Sequence, residues 1–340
     1  MGNKDIISQQ DLSVGLQLMS EQYPHIKVHE AAVIQDGGIK TIWKLETSEG
    51  TVCLKRIRKS LPIVDYTTKV QTYLFNKGAL VAEIIPTKDS ELYFVLDGYG
   101  LVLYRWIVGS DLDMEGIPEH LEHGLSGLAQ FHLQTVGFVP PPGSQVYNRM
   151  GVWPDNYTSM LEEFLKWKSI AVSETSEFHK KYLNHIDEII AMAEYSIELL
   201  NKSCYAEWVE SIGDYGYMCH QDYGKGNALL TEQGVYVLDL DNLAYDIPLR
   251  DVRKLIMKRM KEVGEWKANE LNRWVCAYAA VLPLSADQKR ILYIDLLFPH
   301  EFHGTCKNVF NKGKPGELKK INQSYLAETA KLPTLNLVLK

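Results

Sequence analysis

The sequence lacks any run of about 18 apolar residues, which is the length that a helix needs to cross a bilayer. Residues 1–22 also lack the continuous apolar core of a secretory signal peptide. We therefore expect a protein that is made in the cytoplasm without a signal peptide and is not inserted into a membrane.

Cysteine is scarce, with five in 340 residues and no C-x-x-C pair. This odd, scattered set argues against a zinc site or a disulfide framework and favours reduced thiols. A basic excess is also absent, because 36 Lys and Arg stand against 43 Asp and Glu, a formal net charge of −7. Nucleic acid is therefore not an expected partner.

The predicted secondary structure changes near residue 106, from mainly strands to mainly helices. Before that point, apolar periodicity and turn residues predict a helix up to Tyr23, strands over 31–34, 41–45 and 51–57, a helix over 62–76, and strands over 92–96 and 101–106. This order predicts an antiparallel five-stranded sheet with one inserted helix. We expect an α+β fold of two lobes, with residues 1–106 forming the sheet lobe and residues 107–340 a mainly helical lobe.

Helical spacing dominates the second part of the chain. Leu121, Leu125, Leu128 and His132 fall on one stripe of a helix, so His132 is interpreted as a core residue rather than a catalytic one. Further helices are predicted over 157–167, 183–200, 251–263, 266–281 and 287–298.

A predicted hairpin carries the clearest chemical signal. A turn over 219–227 contains His220, Asp222 and Asn227; strands over 228–230 and 235–240 follow, and the second strand holds Asp239. Such a hairpin brings Asp239 back towards Asp222 and Asn227. Two carboxylates and a carboxamide suit Mg²⁺, which prefers oxygen ligands and accepts phosphate oxygens in its remaining positions. The alternative is a solvated hairpin in which Asp and Asn serve the turns.

Phosphoryl transfer from ATP would also need a phosphate cradle and a cation. The turn at Asp36, Gly37 and Gly38 is the candidate cradle, although Asp-Gly is also a common hairpin turn. Lys55 is the candidate cation, since strand alternation places it on the inward face beside Cys53 and Ile57. A lysine that snorkels to the surface is the alternative.

The remaining roles follow from residue chemistry. Asp222 is the candidate carboxylate that orients the substrate hydroxyl and accepts its proton. Asn227 and Asp239 are the candidate metal ligands, and Asp241, on the same predicted strand face, would supplement or replace Asp239. His220 is expected to hold the loop by hydrogen bonds.

These motifs resemble the catalytic region of the aminoglycoside phosphotransferase and choline kinase group. The segment His220-Gln221-Asp222 with Asn227, then Leu238-Asp239-Leu240, is similar to that group's catalytic and metal-binding segments. The resemblance implies a protein-kinase-like fold with ATP and Mg²⁺ as cofactors. It also implies that Asp251 supports the catalytic loop and that Trp106, in the segment 104–109, lies in the hinge that meets adenine.

Other details are most similar to the CotS-like spore coat proteins. They are Gly78 with Pro86-Thr87, the Leu-Asp-Leu-Asp strand at 238–241, and the segment 297–302 before a basic tail. This resemblance implies a spore coat location, with other spore coat proteins as partners. We expect a spore coat protein with a kinase-like fold that binds ATP and Mg²⁺. The alternative is an active kinase that phosphorylates a hydroxyl of an aminoglycoside, choline or homoserine-like compound.

One departure from the kinase pattern concerns the helix after Lys55. Kinase-like sites pair this lysine with a helix Glu, but residues 69–77 contain no acidic residue. Asp65 is the nearest carboxylate and lies too early, and Gln71 would offer only a neutral hydrogen bond. The catalytic loop is complete in this pattern, whereas the partner of Lys55 is missing. This combination fits a weak or specialised kinase, or a pseudokinase that binds nucleotide.

Overall fold

The computed structural model describes residues 3–37 and 40–340, and side chains from Ser13 onward within those ranges. The chain forms two compact units. Unit 1 comprises Met1–Asp111, Gly137–Tyr147 and Gly226–Leu243, and unit 2 comprises Leu112–Val136, Asn148–Lys225 and Ala244–Lys340. None of the described helices is long and apolar enough to span a membrane.

The longest strands lie in the main sheet, and most helices lie in unit 2. The strands are β1 (Val28–Gln35), β2 (Lys40–Thr47), β3 (Gly50–Ile57), β4 (Phe94–Leu96), β5 (Tyr99–Arg105), β6 (Ser110–Asp111), β7 (Met218–Cys219), β8 (Ala228–Thr231), β9 (Gly234–Val237) and β10 (Ala244–Tyr245). The helices are α1 (Asn3–Gln22), α2 (Leu61–Asn76), α3 (Pro118–Thr135), α4 (Trp153–Ser173), α5 (Glu177–Asn201), α6 (Tyr205–Ile212), α7 (Leu249–Val263), α8 (Ala268–Ala279), α9 (Ala286–Leu297), α10 (His300–Lys312), α11 (Leu318–Ala330) and α12 (Leu332–Val338).

The main sheet of unit 1 is antiparallel, with the strand order β1-β2-β3-β5-β4 and α2 inserted between β3 and β4. The predicted five-stranded sheet with one inserted helix is therefore confirmed. Strand alternation gives β3 two apolar faces. Val52 and Leu54 pack with Trp43 in one core, whereas Ile57 packs with Val64 and Tyr104 in the other.

The hairpin of β8 and β9 also belongs to unit 1, where it forms a three-stranded sheet with β6. The prediction that the second strand extends to Leu240 is wrong, because β9 ends at Val237. Asp239 has φ 63°, in the left-handed region, so the chain leaves the extended conformation there. A single 3₁₀ turn over Leu240–Asn242 follows, and it carries Asp241.

Unit 2 is mainly helical, with β7 and β10 as its two-stranded sheet. The predicted helices occur with shifted ends, and α4 and α5 are several residues longer than their apolar stripes indicated. The helices α6, α10, α11 and α12 were not predicted. The stripe on α3 is buried as expected, including His132, which has no solvent exposure.

Candidate functional site

Lys55 is a buried cation of unit 1. Its side chain lies on the Ile57 face of β3, and the residue is 5% exposed. Its Nζ lies 2.6 Å from Asp239 Oδ1 and 2.8 Å from Asp241 Oδ2. The snorkelling alternative is therefore wrong, and the lysine obtains its counter-charges from the hairpin.

The segment after Lys55 does not supply a partner. Gln71 of α2 donates instead to the carbonyl oxygen of Ala82 at 2.7 Å. Asp65 is engaged by Lys69, one turn later on the same helix, at 2.7 Å. The missing helix Glu is thus replaced by two carboxylates that lie far along the chain.

A second lysine, Lys40, also binds Asp239. Its ammonium group donates to Oδ2, while Lys55 binds Oδ1, so both oxygens of Asp239 are engaged. Lys40 begins β2 and pairs with Ile57 of β3, which places it on the same sheet face as Lys55. Lys40 was not among the predicted site residues, although the strand register places it on this face.

Asp241 is held from a different direction. It is almost fully buried, and its backbone carbonyl accepts a hydrogen bond from Lys59 Nζ at 2.6 Å. Lys59 also donates to Asn242 Oδ1 at 2.7 Å. Although Lys55 Nζ lies close to Asp241 Oδ2, that oxygen accepts no hydrogen bond from the described residues. This buried oxygen is held by the charge of Lys55 rather than by a well-directed hydrogen bond.

The charged groups of this cluster shift one another's pKa values. Burial disfavours the charged form of Lys55, but Asp241 and Asp239 outweigh it and raise the lysine pKa above its usual range. Burial also opposes ionisation of Asp239, but Lys55 and Lys40 hold its pKa well below the ordinary value. The pKa of Asp241 is raised, because burial and the neighbouring Asp239 charge outweigh the attraction of Lys55. Asp239 is therefore the firmly ionised carboxylate.

Other predicted site residues of unit 1 lie in defined positions. The backbone carbonyl of Asn227 accepts from Leu238 N at 2.9 Å, which closes the base of the hairpin. The Trp106 ring lies 5.5 Å from Lys44 Nζ, and its backbone N–H donates to Thr51. Gly37 has φ 113° with open space where a Cβ would project, whereas Gly38 lies outside the described residues.

The predicted catalytic loop belongs to unit 2 and is anchored by Asp251. This buried carboxylate accepts the backbone N–H of His220 at 2.5 Å and that of Gln221 at 3.1 Å. Burial opposes its ionisation, but the hydrogen bond and charge of His132 lower its pKa below the ordinary value. Because Asp251 holds the preceding backbone, the exposed Asp222 side chain projects from a fixed loop.

The two histidines have structural roles. His132 Nδ1 lies 2.7 Å from the Tyr278 hydroxyl, and its Nε2 lies 3.4 Å from Asp251. His220 Nδ1 accepts the backbone N–H of Asp222 at 3.3 Å. The interpretation of His132 as a core residue and of His220 as a loop-holding residue is confirmed.

The donor set of unit 1 fits a hard divalent cation with phosphate. Asp239 and Asp241 offer carboxylate oxygens, one of them without a hydrogen bond, and Asn227 lies on the same hairpin. Lys40 and Lys55 bring two ammonium groups to these carboxylates, and Lys59 adds a third at the backbone carbonyl of Asp241. The excess positive charge suits an anionic ligand such as a polyphosphate.

Comparison with known proteins identifies the family. Residues 63–332 match the family described as "Spore coat putative kinase YutH". The chain belongs to this family. Spore coat protein S of Bacillus subtilis (strain 168) is 29% identical over 290 residues, which are 84% of this chain and 82% of that protein. The resemblance to the CotS-like branch of spore coat proteins is thus confirmed at the level of the family.

Solved structures show the fold of this family member. An aminoglycoside phosphotransferase from Alicyclobacillus acidocaldarius is 18% identical, has a TM-score of 0.76, and aligns over 92% of this chain and 91% of its own. A spectinomycin phosphotransferase in complex with ADP and spectinomycin is 14% identical, has a TM-score of 0.56, and aligns over 95% and 94%. The predicted protein-kinase-like fold, with a five-stranded sheet followed by a mainly helical part, is confirmed.

Proposed function

We propose that this spore coat family member is a kinase that binds ATP with Mg²⁺ and phosphorylates a hydroxyl group. The observation that carries the proposal is the buried cluster in which Lys55 binds Asp239 and Asp241. A buried lysine and two buried carboxylates are costly to retain in a purely structural domain, because each charge must be desolvated. A role in binding phosphate and a metal ion would explain why these buried charges are retained.

Each residue of the cluster has a role in this proposal. Asp239 and Asp241, with Asn227, would hold Mg²⁺, which supplies charge neutralisation on the phosphates when bound. Lys55 and Lys40 would turn from Asp239 to phosphate oxygens, exchanging one anion for another. Gly37, with Gly38, would let backbone N–H groups approach the phosphates, and Trp106 would border the adenine.

In the proposed phosphoryl transfer, unit 2 supplies Asp222. The acceptor hydroxyl oxygen forms a bond to the γ-phosphorus, and the bond from that phosphorus to the oxygen bridging to the β-phosphate breaks. ADP leaves with that oxygen. Asp222 orients the hydroxyl and accepts its proton, which then passes to water. Asp251 keeps Asp222 in place through the backbone of residues 220 and 221.

The family relationship supports a place in the spore coat, with other coat proteins as partners. Spore coat protein S is the relative that supports this location. Within the CotS-like branch, we propose that this chain resembles spore coat protein I. The spectinomycin phosphotransferase holds ADP, which supports nucleotide binding by the shared fold.

Equilibrium binding of ATP, with and without Mg²⁺, tests the nucleotide site. We expect Mg²⁺-dependent binding that Asp239→Ala weakens by at least about tenfold, equivalent to roughly 1.4 kcal/mol. Asp187→Ala is the matched control, because Asp187 is an exposed carboxylate on α5. Thermal unfolding of each variant shows whether it is folded, and the more conservative Asp239→Asn variant serves as a second test if Asp239→Ala is unstable. Equal ATP affinity of wild type and both Asp239 variants would refute the metal site.

Turnover tests the catalytic role separately. Asp222→Asn should abolish phosphate transfer while ATP affinity and thermal stability stay at the wild-type level, because Asp222 is exposed and contributes little to folding. An Asp222→Asn variant with undiminished transfer would remove Asp222 from the mechanism. ATP binding without any transfer by the wild type would leave a coat protein that uses the kinase fold for assembly.

A further inference from the structure

A large cavity of unit 2 opens beside the proposed catalytic carboxylate. It has a volume of about 1040 Å³, and Asp222 is one of its lining residues. The helix α7 forms one wall, and α11 contributes another together with Trp266. Its size exceeds that needed for a water molecule and suits a small organic molecule.

The wall formed by α7 is strongly basic. Arg253, Lys254, Lys258 and Lys261 recur on this helix at the spacing of one face and all line the cavity. The carboxylates of the lining are Asp222, Glu262 and Glu301. The balance of charge therefore depends on which of these groups are already paired.

Two of the four cations are neutralised by partners in the fold. Arg253 Nε lies 2.9 Å from Asp295 Oδ2, and Lys261 Nζ lies 2.5 Å from Glu301 Oε1. Lys254 and Lys258 have no carboxylate within 4.0 Å among the residues that the structure describes. These two ammonium groups are the ones left to receive a ligand.

Both groups border the loop that carries Asp222. Lys254 Nζ donates to the backbone carbonyl of Gln221, directly before Asp222. Lys258 Nζ lies 3.4 Å from the position that a Cβ on Gly224 would occupy, two residues after Asp222. The cavity thus presents positive charge immediately around the proposed proton acceptor.

The position of Lys254 has an energetic cost. Burial, together with the neighbouring Arg250, lowers its pKa below the ordinary lysine value, and the nearby Asp251 and Asp222 only partly oppose this. An anionic ligand beside the ammonium group would relieve that cost, whereas a cationic ligand would increase it.

We propose that the acceptor is an alcohol that also carries an anionic group, a carboxylate or a phosphate, bound by Lys254 and Lys258. The hydroxyl would lie at Asp222, and the apolar side chains of Met257, Trp266 and Leu326 would contact the carbon skeleton. This inference rests on the proposed kinase function. It favours an acid-bearing acceptor, such as a homoserine-like compound with its carboxylate, over choline or an aminoglycoside.

A binding measurement that needs no turnover tests the charge assignment. Four alcohols of similar size serve as probes: glycerol 3-phosphate, glycerate, glycerol and choline, each titrated into the full chain and followed by ligand-observed NMR. We expect both anionic alcohols to bind at least about tenfold more tightly than choline or glycerol, with an affinity that falls as salt is added. The two anionic probes distinguish a phosphate from a carboxylate preference.

Lys258 offers the cleaner variant, because Lys254 also holds the Gln221 carbonyl. Lys258→Gln should weaken binding of the preferred anion about fivefold, and Lys258→Glu should weaken it further, whereas the exposed Lys180→Gln on α5 should leave it unchanged. Choline binding as tightly as the anionic alcohols, no binding of either anion, or no effect of Lys258→Glu would overturn the assignment.

Failure of the charge assignment can be distinguished from failure of the kinase proposal. Anionic alcohols that bind in a Lys258-dependent way, but are not phosphorylated with Mg²⁺ and ATP, would support the charge assignment and refute the kinase. Phosphorylation of choline but of neither anionic alcohol would refute the charge assignment and support the kinase.

Discussion

Lys55 of the sheet and Asp239 of the hairpin form an ion pair of 2.6 Å within unit 1, although 184 positions separate them in the chain. Asp239 also binds Lys40, and Lys55 also contacts Asp241, so four charges share one buried cluster. In the related kinases, the resemblance leads one to expect a helix Glu as the partner of this lysine. Here the proposed metal ligands themselves bind the lysine.

A double-mutant cycle measures the strength of this pair. Lys55→Met and Asp239→Asn should each destabilise the protein, since each leaves a buried charge with fewer partners; losses of about 2–4 kcal/mol are expected. The double variant should lose less than the sum by about 1–3 kcal/mol. Urea unfolding of the four proteins provides the comparison. An additive double variant would mean that the two side chains do not stabilise each other.

Asp251 should be essential for the stability of unit 2. It is buried, accepts two backbone N–H groups and contacts His132, so Asp251→Ala leaves these donors without their acceptor. We expect a loss of about 3–5 kcal/mol in the free energy of unfolding. Asp187→Ala, which breaks only an exposed ion pair with Lys168, should cost less than about 1 kcal/mol. Similar losses in both variants would show that Asp251 is not essential for stability.

Two ion pairs with the same i, i+3 spacing allow a matched comparison. Glu328 and Lys331 have no solvent exposure, and Glu328 also accepts the backbone N–H groups of Glu301 and Phe302 at the start of α10. Glu328→Ala should destabilise the protein by about 3–5 kcal/mol, because it leaves a buried ammonium group and two N–H groups without their carboxylate.

The exposed pair of Glu317 and Lys320 is the control for that change. Glu317→Ala should alter the free energy of unfolding by less than about 1 kcal/mol, because solvent screens the charges. Chemical denaturation of both variants makes the measurement. A small effect of Glu328→Ala would show that the buried lysine finds another partner or loses its proton.

Asp246 should make stability depend on pH. Burial raises the pKa of this carboxyl to about 7, despite the attraction of Arg250. Between the ordinary Asp pKa and 7, the folded state retains a proton that the unfolded state has released. The free energy of unfolding therefore falls as pH rises through this window, by up to about 1.4 kcal/mol per pH unit from this group.

The Asp246→Asn variant isolates that contribution. It retains an oxygen that can accept from Trp153 Nε1, which lies 3.0 Å from Asp246 Oδ1, but it cannot titrate. We expect a less negative slope of unfolding free energy against pH between pH 5 and 7 than in the wild type. Parallel slopes for the two proteins would place the pKa of Asp246 outside this range.

Much of the fold could be predicted because its signals are local. Alternation in 51–57 oriented Lys55 inward, and the stripe on α3 placed His132 in the core, since each pattern reflects burial of one face. The end of β9 could not be predicted in this way. A run of alternating residues continues to Leu240, but the left-handed conformation of Asp239 ends the strand after Val237.

The partners within the candidate site needed the tertiary structure. Lys55, Asp239 and Asp241 were predicted as site residues, but their pairing was not. The helix that follows Lys55 holds no suitable carboxylate, and the actual partners lie 184 or more positions further along the chain. Lys40 and Lys59 were missed, since neither lies in a motif. The basic face of α7 was not among the features predicted from the sequence, and only the tertiary structure places it beside Asp222.

The sequence by itself determined the strands of the main sheet, the family resemblance and the candidate catalytic and metal-binding residues. Side-chain periodicity and short motifs are properties of neighbouring residues, so they can be recognised without the fold. Only the tertiary structure decided which charges meet. An ion pair such as that of Lys55 with Asp239 depends on sheet register and on the path of a distant hairpin, and a separation of 184 positions leaves no trace in local pattern.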